Sequence, residues 1–379
     1  MYDLAIFTEW MQFAVRWLHV ITAIAWIGSS FYFIALDLGL RKVPEHLTWF
    51  KWESYWTWFS GFALLWLVYY LGADLYLVDV NVMDLPVPAA IAISLASIVF
   101  GWLAYDQLCK SPLGQNSTFL MVLLFGILVA MSWGFTQVFS GRAALLHLGV
   151  FTATIMSANV AFIIIPNQTI VVADLKAGRK PDPKYGRIAK QRSTHNNYLT
   201  LPVIFFMLSG HYPLAFATEY NWVIASLVFL MGVTIRHYFN SRHARSSNPT
   251  WTWLATAVIF SLIMILSLTP LYQADRAEEA TEVLTPAQQK FADAASFDEV
   301  SAIVSARCSM CHADEPVWDG VRWPPKGVRL ETPAQIAQHA RSIFLQAGAT
   351  NAMPPANVSW MEEEERRMIV KWFRAAEGG

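Results

Sequence analysis

The sequence predicts an all-α protein, in which a polytopic bundle of eight transmembrane helices is followed by a small soluble domain. The 379-residue chain is 55% hydrophobic and 15% charged, whereas an ordinary soluble domain has about 25% charged residues. Charge also separates the two parts. Residues 1–270 carry 16 Lys and Arg against 12 Asp and Glu, and residues 271–379 carry 11 against 16, so a basic membrane part precedes an acidic soluble part.

Eight apolar runs are each long enough to cross a hydrocarbon core of about 30 Å, which takes roughly 20 helical residues. The first run follows the acidic residues Asp3 and Glu9 and is too long for the apolar part of a signal peptide, so we expect it to be retained. The predicted spans are 10–34, 54–72, 86–108, 117–139, 143–165, 198–216, 221–240 and 251–271.

Basic residues are unevenly distributed among the loops between these spans, and this predicts the orientation of the chain. The loops after the first, third, fifth and seventh spans are basic, whereas the alternate loops hold Arg142 alone and the 73–85 loop is acidic. Short basic loops stay in the cytoplasm. Both termini are therefore expected on the opposite side, which in a bacterium is the periplasmic side of the inner membrane.

The stretch RCSMCHADE contains Cys308, Cys311 and His312 in the spacing C-x-x-C-H, which is typical of one covalently attached haem c. In bacteria this attachment takes place on the outer face of the cytoplasmic membrane, in agreement with the predicted orientation. A thioredoxin-like interpretation needs a βαβ pattern that is absent here. The third cysteine, Cys109, is expected to be a packed or free thiol, and three cysteines are too few for a disulfide framework.

The composition around this motif predicts three segments. Residues 1–272 are expected to form an eight-span transmembrane redox domain, and the Ala/Glu-rich residues 273–284 a linker. A helix is expected to begin near Thr285-Pro286, so residues 285–379 are predicted to form the soluble cytochrome c domain.

Met353 is the predicted second axial ligand of haem c. It precedes two prolines in NAMPPAN, 41 residues after His312. A class of small cytochromes c uses a methionine in this position, since a thioether ligand raises the haem potential and favours the acceptance of electrons. Met361 or Met368 is the alternative, but both lie on a helix that is expected to pack against the first helix of the domain.

Histidines at membrane depth are candidate ligands of haem b, because ionisable side chains there are costly and usually functional. In the predicted orientation His19, His147 and His211 fall in the outer half of the membrane. We expect His19 and one or both of the others to bind a haem b, with Arg16 or Arg142 pairing with a propionate. The alternative is that each histidine is hydrogen-bonded to a neighbouring helix and that Arg16 reaches the interface.

A second layer of histidines is predicted near the cytoplasmic face. His195 and His211 are 16 residues apart on one predicted helix, or about 24 Å at 1.5 Å per residue, so they cannot serve one site. His237, with His243 or His195, is the candidate ligand set for a second haem b. One or two b haems are therefore expected.

Four stretches carry a resemblance to a known family: HVITAIAWIG, SANVAFIIIPNQ (157–168), RSTHNNYLTLPVIFFMLSGHYP (192–213) and PPKGVRLETPAQIAQHARSIFLQAGATNAMPP (324–355). Over nearly its whole length the chain resembles the bacterial membrane-bound urate oxidases, an eight-span domain fused to a cytochrome c. It departs from their pattern at Gly210, where a small polar residue is common, and at Ala356, where glycine is common. The first helix, LHVITAIAWIGSSFYF, also resembles that of small protoporphyrinogen-oxidising membrane proteins, whose corresponding histidine binds haem.

The resemblance implies a cytochrome-linked urate dehydrogenase, which oxidises urate to 5-hydroxyisourate. Electrons would leave through haem c to a soluble cytochrome c or a cytochrome oxidase, and not directly to dioxygen. Urate is a cytoplasmic anion, so we expect its site at the inner ends of the fifth and sixth spans, which also offer Asn167 and Gln168. Alternatively urate binds in the outer half of the membrane, where a single haem b or none would suffice. Arg192, or alternatively Arg236, is predicted to bind the urate anion. His195 is the predicted proton acceptor, and Asn196 and Asn197 are predicted to orient the substrate.

Other interpretations of the sequence remain open at this stage. The asparagines are alternatively a helix cap, and Arg192 alternatively only follows the positive-inside rule. The chain is alternatively a quinol-oxidising or oxidase-associated electron-transfer cytochrome, whereas a transporter is disfavoured because no pair of related broken spans is found.

No glycine-rich nucleotide motif is present. The basic loop between the fifth and sixth spans has the sign expected in the cytoplasm, so nucleic-acid binding is unsupported. No oligomeric state is predicted.

Overall fold

The computed structural model of the chain describes residues 4–39, 50–79, 82–216, 218–244, 247–267, 284–319, 321 and 324–378. These residues form helices, turns and loops without a strand, so the predicted all-α class is confirmed. The chain divides into two compact units, the first comprising Met1–Leu77 and Leu85–Ala274, the second Val78–Asp84 and Asp275–Gly379. The predicted linker lies outside the described residues except for Leu284.

Helices of the first unit overlap all eight predicted apolar spans, the last of them as far as Ser267. Among the described residues, four continuous helical segments are long and apolar enough to cross a membrane: Val87–Lys110, Ser117–Thr136, Gly141–Lys176 and Asn221–His243. The α-helices of this unit are α1 (Leu4–Gly39), α2 (Phe50–Leu64), α3 (Ala73–Tyr76), α4 (Val87–Lys110), α5 (Ser117–Thr136), α6 (Gly141–Ala158), α7 (Ile165–Lys176), α8 (Pro183–Ser209), α9 (Pro213–Phe216), α10 (Asn221–His243) and α11 (Trp251–Ser267).

Two helical segments extend more than ten residues beyond the predicted spans. The fifth span continues through α7 to Lys176, and the helix of the sixth span begins at Pro183, well before residue 198. Asp182 caps the start of α8, since its side chain accepts a hydrogen bond from the Lys184 backbone N–H. The first half of α8 is polar, so an apolar run cannot reveal it.

A six-residue π-helical turn, Asn159–Ile164, joins α6 to α7. Pro166 follows this turn and has no backbone N–H to donate to the preceding turn of an α-helix, which favours the wider winding. The turn places Asn159, fully buried, at the junction of the two helices. A second π-helical turn, Leu65–Tyr70, follows α2.

Helix α8 packs between α6 and α10 at two close backbone approaches, each of which requires a glycine. A Cβ atom at Gly149 of α6 would lie 2.9 Å from the Phe206 Cβ atom of α8. A Cβ atom at Gly232 of α10 would lie 2.7 Å from the Pro202 ring of α8. Larger residues would separate these helices, so the two glycines keep the apolar second half of α8 close to its neighbours.

The second unit is a small helical domain. Thr285 and Thr332 each begin a helix with a capping box, through Gln288 and Gln335 respectively. Trp372 is fully buried in its core, and the indole N–H donates to the Phe291 carbonyl at 3.0 Å. Its α-helices are α12 (Pro286–Ala292), α13 (Phe297–His312), α14 (Pro333–Gln338), α15 (Ala340–Ile343) and α16 (Glu363–Gly378).

Candidate functional site

Four polar residues of α8, within six positions of one another, are buried inside the first unit. Arg192, His195, Asn196 and Asn197 expose 2%, 4%, 5% and 0% of their surface, respectively. Polar groups removed from solvent to this extent need hydrogen-bond partners within the protein. The sequence-predicted residues are therefore part of a polar interior, and the helix-cap interpretation of the asparagines is wrong, because they lie in the middle of α8.

His195 is joined to α4 and to the π-helical turn through Tyr105. The Tyr105 hydroxyl lies 2.8 Å from His195 Nδ1 and accepts a hydrogen bond from Asn159 Nδ2 at 2.9 Å. The same Asn159 nitrogen donates to Asn196 Oδ1 at 2.9 Å, and Asn196 Nδ2 donates to the Met156 carbonyl. Helices α4, α6 and α8 and the π-helical turn thus meet in one hydrogen-bonded network.

Arg192 forms a buried ion pair with Asp106 of α4. Its Nη2 donates to Asp106 Oδ1 at 2.7 Å, and the side chains of both residues are at most 5% exposed. The guanidinium carbon lies 4.8 Å from the centre of the Tyr105 ring. Lys110, which is 56% exposed, pairs with the other oxygen of the same carboxylate. Two cations therefore share one anion, and this part of the network carries a net positive charge.

Three buried polar atoms of this network have no hydrogen-bond partner in the part of the chain that the structure describes. They are Nε and Nη1 of Arg192, which are donors, and Oδ1 of Asn159, which is an acceptor. Each such group is costly when left unpaired. We refer to the residues of this network as the α8 polar site, which comprises Tyr105, Asp106, Asn159, Arg192, His195 and Asn196.

Asn197 lies outside the α8 polar site and faces α10 instead. Its Oδ1 accepts from Arg236 Nε at 3.1 Å and from Asn240 Nδ2 at 2.8 Å. Its own Nδ2 is buried without a partner among the described residues. Asn167 donates to the Ile163 carbonyl of its own helix. The predicted catalytic set is thus divided between two faces of α8.

Sequence reasoning missed Tyr105, Asp106 and Asn159. A signal was available for Asp106, because an acidic residue within an apolar run indicates a functional or paired group. Tyr105 and Asn159 gave no comparable signal, since their roles depend on the rotation of α4 and on the π-helical turn.

His147 is fully buried, and both of its ring nitrogens are hydrogen-bonded. Nδ1 donates to the Ala143 carbonyl at 2.8 Å, so Nε2 carries the lone pair and accepts from the Ser94 hydroxyl at 2.8 Å. The Tyr70 hydroxyl lies 2.7 Å from the Ser94 oxygen, and the Phe139 ring stacks on the imidazole. In this arrangement His147 has no nitrogen available to bind haem iron, so it does not fit the predicted ligand role.

His19 has the arrangement expected of a haem ligand. Nδ1 lies 3.1 Å from the Thr57 carbonyl, to which it must donate, and this leaves the lone pair on Nε2. A Cβ atom at Gly61 would lie 2.9 Å from His19 Cε1, so the glycine makes room for the ring. No hydrogen bond to Nε2 is found among the described residues.

The other predicted membrane-haem residues lie on the surface of the first unit. Arg16 is exposed on α1, and His211 is exposed just beyond the end of α8. His237 is exposed on α10, with its ring centre 6.4 Å from that of Trp251. His237 therefore points away from the buried Arg236 of the same helix.

The C-x-x-C-H motif occupies the last turn and a half of α13. His312 Nδ1 donates to the Val328 carbonyl at 2.8 Å, so Nε2 is left to bind iron, as in an axial ligand. Burial raises the pKa of the Cys308 thiol to about 11, with a smaller contribution from Cys311. Burial also raises the pKa of Cys311. The donor set fits covalent haem attachment.

Met353 lies in the loop before α16 and is held at both ends of its backbone. Its N–H donates to the Gln346 carbonyl at 2.8 Å, and its own carbonyl accepts from Arg366 Nη1 at 2.9 Å. The Met353 side chain is half-buried. Met361, the alternative ligand, is buried and exposes only 3% of its surface.

Comparison with known proteins places most of the first unit in a family. A family model described as urate oxidase N-terminal matches residues 5–43 and 39–267. The matched region contains the whole α8 polar site, and the C-x-x-C-H motif lies beyond it. No curated protein and no solved structure matches the chain.

Proposed function

Because the chain belongs to the urate oxidase N-terminal family, we propose that it is a membrane-bound oxidoreductase that converts urate to 5-hydroxyisourate at the α8 polar site. Haem c, held at the C-x-x-C-H motif, would pass the electrons to an external cytochrome c or a cytochrome oxidase, and dioxygen is not the proposed direct acceptor. The observation that carries this assignment is the pair of buried, unpartnered donor nitrogens on Arg192.

The charge of the α8 polar site suits an anion. Arg192 and Lys110 share the single carboxylate of Asp106, which leaves one positive charge uncompensated within this group. Urate is a monoanion at neutral pH and has carbonyl oxygens and ring N–H groups. The two free Arg192 nitrogens would donate to its oxygens, and Asn159 Oδ1 would accept from a ring N–H.

The reaction requires the removal of protons as well as electrons. Urate and one water molecule give 5-hydroxyisourate, two protons and two electrons. His195 Nε2 accepts a proton from the substrate, because Nδ1 of the same ring is already bonded to Tyr105. For Nε2 to accept, Nδ1 carries the ring proton and donates to the Tyr105 hydroxyl oxygen, so this bond holds the imidazole in the tautomer that can take up the proton. Water then adds at C5.

Haem groups supply the redox chemistry, since each accepts one electron at a time when bound. Cys308, Cys311, His312 and Met353 are the residues that would hold haem c, and His19 is the residue of the first unit that would hold a haem b. One or two b haems are proposed, because electrons that leave a site near the cytoplasm must cross about 30 Å of hydrocarbon.

The proposed location is the bacterial inner membrane, with both termini periplasmic. The four helices that are long and apolar enough to span a bilayer support a membrane location. The distribution of basic residues between the spans supports the orientation.

The experiment that tests this function uses the purified full-length protein in detergent, without oxygen. Urate or a reduced quinol is added, and the α-band of haem c is followed. We expect urate to reduce the haem and the quinol to leave it oxidised. Reduction by the quinol alone would favour the electron-transfer cytochrome, and a haem that stays ferric with urate would contradict the proposal.

The variants Arg192→Gln and His195→Ala locate the site. Both are expected to lose urate-dependent reduction while keeping reduction by dithionite. Thr194→Ala is the matched control, because Thr194 is exposed beside His195 on α8 and bonds only to the Lys190 carbonyl of its own helix. Full urate-dependent reduction in both site variants would remove the assignment to the α8 polar site.

A further inference from the structure

A buried arginine of the second unit organises the loop that carries Met353. Arg366 lies near the start of α16 and exposes 6% of its surface. Its Nη1 donates to the Ala347 carbonyl at 2.7 Å and to the Met353 carbonyl at 2.9 Å, and it lies 3.5 Å from the Thr350 carbonyl. Its Nη2 lies 3.4 Å from Asn357 Oδ1.

These partners span the whole loop. Ala347 is at its beginning, Met353 is in its middle, and Asn357 is near its end. Asn357 in turn fixes the start of the following segment, since its Oδ1 accepts from the Met361 N–H at 2.9 Å and its Nδ2 donates to the Met361 carbonyl. The guanidinium group therefore holds the carbonyl side of the Met353 backbone, while the Gln346 carbonyl holds its N–H.

Arg366 and the nearby Arg307 differ in the groups that surround their positive charges. Arg307 forms an ion pair with Glu365 at 2.9 Å. The partners of Arg366 among the described residues are carbonyl and amide oxygens, and none is a carboxylate. The cation is buried and lies next to the proposed haem ligand, since it donates to the Met353 carbonyl at 2.9 Å.

We propose that Arg366 is the positioning residue for the axial methionine and that its buried charge raises the reduction potential of haem c. The first role follows from the bond to the Met353 carbonyl and from the ties on either side of it. The second follows because a nearby cation in a region of low dielectric favours the ferrous over the ferric state. The proposal rests on haem c and does not depend on urate.

Two substitutions separate the two roles in the full-length holoprotein. Arg366→Lys keeps the charge, but a lysine cannot donate to several acceptors in the fixed geometry of a guanidinium group. It is expected to weaken the methionine–iron charge-transfer absorption of the oxidised protein and to shift the midpoint potential little. Arg366→Gln removes the charge as well and is expected to shift the midpoint potential to a lower value than in the lysine variant.

The readouts are the charge-transfer absorption and a redox titration of haem c with chemical mediators. Arg367→Gln is the control, because Arg367 is an exposed neighbour whose ion pair with Glu364 is on the surface. Unchanged absorption and potential in both Arg366 variants would overturn the proposal. If the glutamine variant does not take up haem, the lysine variant decides. A charge-transfer band in the lysine variant that has the wild-type intensity and persists to the same temperature as in the wild-type protein would also overturn the proposal.

Discussion

The Tyr105 hydroxyl oxygen lies 2.8 Å from Nδ1 of His195, and this contact joins α4 to the most polar part of α8. The aromatic ring of Tyr105 also lies under the Arg192 guanidinium. One tyrosine thus contacts both of the α8 side chains to which we assign anion binding and proton acceptance. The hydroxyl and the ring act on different neighbours, so their contributions are separable.

Tyr105→Phe removes the hydroxyl and keeps the ring. Loss of one partner of a buried hydrogen bond costs about 1–3 kcal/mol, so we expect the rate of urate-dependent haem reduction to fall by about tenfold or more. The apparent urate affinity should change little, because Arg192 keeps its stacking partner. Anaerobic stopped-flow reduction at several urate concentrations measures both quantities. A change in affinity without a change in rate would show that Tyr105 acts on binding instead.

Asp106→Asn leaves the buried Arg192 without its counter-ion. Breaking a buried ion pair by removing one partner costs about 3–5 kcal/mol, so the melting temperature of the purified protein should fall clearly. The double variant Asp106→Leu with Arg192→Met removes both charges and is expected to recover much of the lost stability. It should nevertheless remain unable to oxidise urate. Recovery of activity in the double variant would exclude Arg192 from substrate binding.

His19→Ala and His147→Ala are expected to differ in haem b content. Nε2 of His19 is open to a ligand role, whereas both nitrogens of His147 are engaged by Ala143 and Ser94. Pyridine haemochrome analysis should therefore show loss of haem b in the His19 variant and retention in the His147 variant. The reverse result would mean that Ser94 releases His147 when haem binds. A wild-type protein without haem b would remove the membrane haem from the proposed route.

Gly149→Ala is expected to disturb the α8 polar site from a distance. The added Cβ atom would lie 2.9 Å from the Phe206 Cβ atom, and overpacking of this kind costs about 1–3 kcal/mol. Both the melting temperature and urate-dependent reduction should fall. Gly126→Ala in α5 is the matched control, since nothing lies within 4 Å of its added Cβ atom. That control should be neutral or slightly stabilising, because alanine favours a helix. Equal effects of the two substitutions would contradict a specific α6–α8 contact.

The all-α class and the approximate positions of the helices could be predicted from sequence because apolar runs of about 20 residues have few alternatives. The burial of Arg192, His195 and Asn196 together followed from polar residues spaced along one face of α8. That Asn197 faces a different direction from these three residues could also have been predicted, since Asn197 lies about 100° from Asn196 around the helix. The sequence could not predict that both ring nitrogens of His147 are hydrogen-bonded, because one of these bonds depends on the position of Ser94 in another helix.

The π-helical turn at Asn159–Ile164 makes the rotation of the helix around it sensitive to the loss of a single residue. A turn of this kind holds about one residue more than an α-helix of the same length, and one residue corresponds to about 100° of rotation. A homologue with a single-residue deletion in this stretch would continue as a straight helix and would direct a different side chain toward Tyr105. A one-position gap near residue 160 is therefore expected to change which side chain faces Tyr105, even when every flanking residue is identical.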